Sequence, residues 1–320
     1  MCYGPKNDVR KGVRMEPVVS VCELQKHYGK TQALKDVTFS VRPGTCFGLL
    51  GPNGAGKSTT MKILTGILPA DAGTIHILSV PAHRDSMPLR RQIGYVPQNI
   101  TLYEKLTAVD NLMFFGELYG LHGRELRKRI ETVLDEIGLS HRGNEAVETF
   151  SGGMKRRINI AAALLHQPKL LILDEPTVGI DPQSRNHIFE MIRALKAQGV
   201  TIIYSTHYME EVEALCDDLA IIDQGQVIAQ GSLRDLLSRY GKQAIYVEAK
   251  GFETLSDIPH VSHVSSQGQG FILETSRVME VLSFLLQTAS AKGIDIDVLE
   301  TVRPSLESVF LSLTGTSLRD

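Results

Sequence analysis

The run Gly51-Pro52-Asn53-Gly54-Ala55-Gly56-Lys57-Ser58-Thr59 has the spacing of a phosphate-binding loop. Its glycines let the backbone bend tightly, so that several N–H groups point into one concavity. In such a loop Lys57 reaches the β- and γ-phosphates as a point charge, and the Ser58 hydroxyl sits on Mg²⁺. Further along, Asp174 and Glu175 come directly after the apolar run Leu170-Leu171-Ile172-Leu173. Asp174 suits a Mg²⁺ ion, and Glu175 is placed to orient and deprotonate an attacking water. Ser151-Gly152-Gly153 opens a helical pattern with a good N-cap and bared N–H groups, a second anion site in one chain. Glycines there cost helix stability, up to about 1 kcal/mol each relative to alanine, and close approach of a ligand would account for that cost. Gln98 and His207 each stand at the end of a short apolar run, where a polar side chain can leave a sheet toward a ligand.

These residues need strands that end together. Cys46-Phe47-Gly48-Leu49-Leu50 before the loop reads as a buried parallel strand, and Thr59 to Leu64 after it as the first turns of a helix. Ile93 to Gln98, Leu170 to Glu175 and Val200 to His207 read as further strands, and open parallel sheets bind ligands at the carboxyl ends of their strands. Val19 to Leu24 and Ala33 to Phe39 alternate like an antiparallel pair around Gly29-Lys30. Tyr28, just before that turn, reads by itself as a partly buried hairpin residue; stacking on a base is the alternative. From Thr107 to Leu139 the period becomes helical, giving an insert whose Phe114, Phe115 and Tyr119 read as core in preference to docking surface. Leu219 to Asp223 and Gln226 to Ala229 read as a hairpin, followed by a helix over 232–240. Beyond Gly241 four strands and two helices, with no catalytic constellation, suggest a small α+β domain.

Composition bounds the classes. The 320 residues allow about two domains, and a net charge of −2 offers no basic field for nucleic acid. No stretch approaches the roughly 18 apolar residues of a membrane span. Residues 1–17 are polar with scattered cations and read as a disordered tail, not a signal peptide. Cys2, Cys22, Cys46 and Cys216 form no C-x-x-C pair and read as reduced thiols.

Taken in order, the motifs resemble the nucleotide-binding subunit of ABC transporters over about residues 18–240. The fold this implies is α/β: a P-loop NTPase of the ABC type with an antiparallel β subdomain and a helical insert (about 100–165), plus a small C-terminal α+β domain over 241–320. The resemblance places Gly51 to Thr59 as Walker A, Gln98 as the Q-loop glutamine and a Mg²⁺ ligand, and Leu170 to Asp174 as Walker B. It makes Glu175 the catalytic base, Asp181 part of the D-loop, His207 the switch histidine and Tyr28 the adenine-stacking aromatic, which reverses the first reading of Tyr28. The signature stands as Phe150-Ser151-Gly152-Gly153-Met154, with methionine where the family usually has glutamine. Phe150 through Arg157 and the segment from Pro304 to Gly315 are similar to the ABC-2-type branch, which includes drug and antibiotic exporters. ATP and Mg²⁺ are then implied, together with an integral membrane permease, a head-to-tail homodimer or a paralogous partner, and a place on the cytoplasmic face of the membrane. A soluble ABC ATPase acting on ribosomes or DNA is the alternative, but one Walker A and a short insert argue against it. A small-molecule P-loop kinase would have no use for Ser151-Gly152-Gly153.

Overall fold

The computed structural model describes residues 16–82, 87–241, 243–249 and 258–314. The expected disordered tail therefore lies almost wholly outside the described residues. The chain forms two compact units that divide between Leu233 and Arg234.

The first unit opens with β1 (Val19–Tyr28), β2 (Thr31–Val41) and β3 (Cys46–Leu50), then α1 (Lys57–Leu64). Next come β4 (Ala72–Ile77), β5 (Val80–Pro81), α2 (Met87–Arg90) and β6 (Ile93–Val96). The helical insert is α3 (Ala108–Leu118) and α4 (Gly123–Glu136), leading to α5 (Gly152–Leu164). The unit continues through β7 (Leu170–Asp174), α6 (Pro182–Ala197), β8 (Thr201–Thr206), α7 (Met209–Leu215), β9 (Asp218–Asp223) and β10 (Gln226–Ser232).

Two sheets result. One is antiparallel, in the order β2-β1-β4-β5; the other runs β10-β9-β3-β8-β7-β6, with β10 antiparallel to β9 and the other strands parallel. Every residue of β3, β7 and β8 is buried, as strands covered on both faces require. The two sheets share an apolar core with α1: Val37 and Phe39 meet Phe47, Leu49, Met61 and Ile203. Phe39 and Phe47 stack with ring centroids 5.4 Å apart. β3, β7 and β8 thus bring the phosphate loop, Asp174 and Thr206 to one edge of the sheet.

Helices α6 and α7 were absent from the sequence reading. The signal for α6 was present: Asp181 caps it, Pro182 takes its first position, and Ile188, Met191, Ile192 and Leu195 recur on its buried face. Helix α7 has seven residues, too few to show a period. Cys22 is disulfide-bonded, a departure from the expectation of four reduced thiols that no spacing in the sequence signalled. Cys46 and Cys216 are free and buried, their sulfurs 3.8 Å apart.

The second unit begins within α8 (Leu233–Tyr240). It continues with β11 (Ala244–Ala249), β12 (Val261–Gln267), β13 (Gly270–Thr275), α9 (Val278–Lys292), β14 (Ile296–Val302) and α10 (Leu306–Thr314). The antiparallel sheet has the order β12-β13-β11-β14. Val281, Leu285 and Ala289, on one face of α9, pack with Ile245, Val247 and Leu273 of the sheet. No helix among the described residues is long and apolar enough to cross a membrane.

Candidate active site

The phosphate loop joins β3 to α1. At the start of α1, Gly56 has φ 107°, and a Cβ there would come within 2.6 Å of Leu34 Cδ2 and 3.0 Å of the Ala33 carbonyl. Only glycine meets both demands. Lys57 is 4 % exposed, and its Nζ donates to the carbonyls of Gly51 at 2.7 Å and Pro52 at 3.0 Å. It also lies 3.0 Å from Glu175 Oε1. Ser58 Oγ donates to Asp174 Oδ1 at 3.0 Å, and Ser205 Oγ donates to the same oxygen at 2.8 Å. Burial raises the Asp174 pKa; the two hydroxyl donors work against the shift, and the neighbouring Glu175 charge adds to it.

Glu175 sits just past β7 with φ 46°, a left-handed conformation that few non-glycine residues adopt. Such backbone costs of order 1–3 kcal/mol and persists only where the surroundings fix it. Here the Glu175 N–H donates to Ser205 O and Ser205 Oγ, both at 3.1 Å. The carboxylate is met by three of the expected residues. Besides Lys57, Gln98 Nε2 donates to Oε2 at 3.3 Å, and His207 Nδ1 stands 3.4 Å from the same oxygen without hydrogen-bond alignment. Gln98 and His207 follow β6 and β8 by one or two residues, so the strand ends do deliver them.

Of the expected site residues, Lys57, Gln98 and His207 thus meet at Glu175, and Ser58 meets Asp174 beside it, whereas the signature portion stands apart. Ser151 accepts from Met154 N–H at 3.3 Å as the cap of α5, and Ser151 and Gly152 are exposed. No hydrogen bond or ion pair among the described residues joins them to Gly51–Thr59. Gly153 has a reason other than ligand approach: a Cβ there would lie 2.0 Å from Ser184 Oγ of α6. Asp181 caps α6 by accepting from Ser184 N–H at 2.9 Å; that bond lowers its pKa. Tyr28 ends β1 at 49 % exposure, which leaves its ring free to stack.

Three further residues shape the site, and the sequence reading missed them. Ser205 holds both carboxylate positions, as above. Glu211 of α7, 1 % exposed, accepts from Thr177 Oγ1 at 2.7 Å, Tyr204 OH at 2.9 Å and Thr206 Oγ1 at 2.7 Å. It ties the segment after Glu175 to β8, the strand that His207 follows. Arg156 of α5 donates to the main-chain carbonyls of Pro97 and Gln98. The polar pair Ser205-Thr206, closing an otherwise apolar strand, was the available signal.

The residues fit a hard cation. The donors at hand, Ser58, Asp174 and Gln98, are all oxygens, and no group of three or more His, Cys, Asp or Glu residues among those described could hold a metal alone. A metal bound by one carboxylate and a hydroxyl, and completed by phosphate oxygens and water, is the manner of Mg²⁺.

A glycine cradle at a helix start, a buried lysine, and two carboxylates at a strand end define a P-loop nucleotide hydrolase. The family model described as ABC transporter matches residues 34–178, and one described as ATP-binding protein DrrA1-3-like, C-terminal domain, matches 231–314. The linearmycin resistance ATP-binding protein LnrL of Bacillus subtilis is 47 % identical over 305 residues, 93 % of this chain and 98 % of that one. The Nod factor export ATP-binding protein I of Ralstonia nicotianae is 38 % identical over 97 % of each chain. Among solved structures, an ATP binding subunit of an ABC transporter is 36 % identical with a TM-score of 0.64, covering 70 % of this chain and 93 % of that one. The dimeric post-hydrolysis state of the cassette MJ0796, bound to ADP and Pi, has a TM-score of 0.62 at 26 % identity, over 68 % of this chain and 99 % of that one. The chain belongs to the ATP-binding subunits of ABC transporters, in the ABC-2-type, drug-exporter-like branch. It is an ATPase.

Proposed function

We propose that this protein drives an ABC-2-type exporter from the cytoplasmic face of the membrane, as a head-to-tail pair of ATPase subunits on a separate integral membrane permease. The observation that carries this reading is the exposed start of α5 at Ser151 and Gly152, unconnected to the chain's own phosphate loop among the described residues. A helix start with bared N–H groups suits a phosphate, and a second copy would supply one. The pair is a homodimer or includes a paralogue. The relatives' names, resistance and export, support outward transport. A net charge of −2 gives no field for nucleic acid.

In this reading Tyr28 stacks on adenine, and residues 51–59 wrap the phosphates. Lys57 leaves Glu175 for the γ-phosphate. Freed of that ion pair, the Glu175 carboxylate takes a proton from the water whose oxygen attacks the γ-phosphorus, and the bond to the ADP oxygen breaks. His207 holds the γ-phosphate edge beside Glu175. Ser151, Gly152, Gly153 and Asp181 of the other subunit close the site. Ser58, Asp174 and Gln98 would hold Mg²⁺, which neutralises charge on the β- and γ-phosphates when bound.

Sedimentation tests the pairing. Glu175→Gln should dimerise on adding MgATP, and Glu175→Gln with Ser151→Arg should stay monomeric while still binding ATP. A Ser151→Arg protein that dimerises with MgATP removes the composite site.

A further inference from the structure

The motif Ser151-Gly-Gly-Met-Lys-Arg-Arg157 contains more than the helix start. Arg156 is 3 % exposed, yet no carboxylate lies within ion-pair distance of it among the described residues. Burial lowers its pKa, with the Asp174 charge acting in the other direction. Its guanidinium donates to two main-chain carbonyls, Pro97 O at 2.8 Å and Gln98 O. One turn further along α5, Asn159 is 4 % exposed, and its Oδ1 accepts from Thr101 N–H at 3.4 Å and Thr101 Oγ1 at 3.1 Å. Lys155 adds an ion pair to Glu104 at 2.6 Å. Arg157 reaches the other way and donates to Ile137 O, just past α4, at 2.8 Å.

Positions 156 and 159 share a face of the helix. That face grips the backbone from Pro97 to Thr101 and leaves the Gln98 side chain to touch Glu175. A buried cation held only by carbonyls is a costly way to join two segments, and an apolar side chain would fill the volume at less cost. What the guanidinium fork supplies is direction, since it engages two adjacent carbonyls at once. The helix is the one Ser151 caps, and Arg156 lies about 7.5 Å along it from Ser151 at the usual rise.

We infer that Arg156 and Asn159 are positioning residues: they fix the Gln98 main chain to the signature helix, so that movement of the helix start carries the Gln98 side chain toward or away from Glu175. The inference rests on the reading of Gln98 as part of the nucleotide site. It makes the occupancy of Ser151 felt at the general base of the same chain.

The test uses the full chain with Arg156→Met, Arg156→Lys and Asn159→Ala, each alone and with Gln98→Ala. Hydrogen exchange of the amides at 98–104 should speed up in the clasp variants, Thr101 most of all in Asn159→Ala. Steady-state kcat should fall by on the order of 10- to 100-fold, as misplacement of a catalytic group does, with fluorescent-ADP affinity unchanged. In a Gln98→Ala background the second substitution should add little, because its route to the site is already gone. Unchanged exchange overturns the clasp. Losses in kcat that multiply with that of Gln98→Ala overturn the positioning role, since the residues would then act elsewhere. Full kcat in Gln98→Ala alone overturns the Gln98 reading and the positioning role with it, while faster exchange in Arg156→Met would still establish the clasp. Should Arg156→Met not fold, Arg156→Lys, which keeps the charge and loses the fork, gives the same comparison.

Discussion

Lys57, Arg156, Asp174, Glu175 and Glu211 are all buried in the first unit, whereas among the described residues of the second the buried polar residue is Thr275. Thr275 is satisfied locally, with Oγ1 donating to His260 O at 2.7 Å. Burying a charge costs several kcal/mol unless partners compensate. The first unit sustains that cost with an extended core shared by two sheets and α1, while the core cluster of the second is smaller, six buried side chains of β11, β13 and α9. A unit that keeps charges inside is holding chemistry in place. A unit that keeps none inside is packed for its own stability, and its apolar side chains extend to its surface. There Met279 is 74 % exposed and Leu286 55 %.

The sharpest way to break this contrast is Glu175→Gln. Loss of a general base costs about 10²–10⁴ in kcat, which at 1.36 kcal/mol per decade is roughly 3–5 kcal/mol of barrier. ATP should still bind, because Lys57 keeps its carbonyl partners. Single-turnover hydrolysis near the wild-type rate would show that the charge buried at 175 is not there for chemistry.

Leu285→Ala puts the opposite substitution in the other unit. Leu285 is fully buried in the core of the second unit. The deletion should lower stability by about 2–5 kcal/mol, measured by denaturant titration of the signal from that unit. The kcat of folded protein should stay as it is. A collapse of kcat in protein still folded would tie the second core to the first unit's chemistry and end the contrast.

Asp174→Asn should separate stability from function within one residue. Its carboxyl pKa is raised in the folded protein, chiefly by burial. A raised carboxyl favours the folded state below its unfolded pKa and loses that contribution as pH rises through the folded value. At neutral pH the charged form is therefore a burden, so the nucleotide-free Asn variant should melt no lower than wild type at pH 7 while losing Mg²⁺-dependent nucleotide binding. Melting well below wild type at pH 7 would mean that the two serine bonds outweigh the burial. For wild type the same shift predicts that Mg²⁺-dependent binding fades on acidification at a higher pH than an ordinary aspartate would give.

Residues fixed by chain connectivity were legible in the sequence. The loop, its strand and its helix are contiguous, and a run of four apolar residues ending in Asp174 has few other uses. Convergence was only partly legible. That Gln98, Glu175 and His207 would meet followed from the resemblance, because three strands separated by dozens of residues must first be ordered in a sheet. Arg156 and Asn159 looked like any polar residues of a helix, since the groups they hold, two carbonyls for Arg156 and the Thr101 N–H and hydroxyl for Asn159, lie about 60 residues earlier. Gly153 was legible only in part for the same reason: its close packing against Ser184 involves α6, a helix later in the chain.

The smallest effect expected tests the second unit's side of the contrast. Met279 lies in the first turn of α9, on the side away from Val281 and Leu285. An exposed apolar side chain contributes little, so Met279→Ser should change stability by no more than about 0.5 kcal/mol. It should leave ATP hydrolysis untouched. The value of so small a number is that it can fail in an informative direction. If thermal melting shows a loss of 2 kcal/mol or more, Met279 is covered in the isolated protein, by other segments of this chain or by a second copy. Repeating the melt over a hundredfold range of protein concentration tells these apart, because a contact between copies makes the midpoint depend on concentration and a contact within the chain does not. A loss confined to the concentrated sample would place part of the second unit's work in self-association.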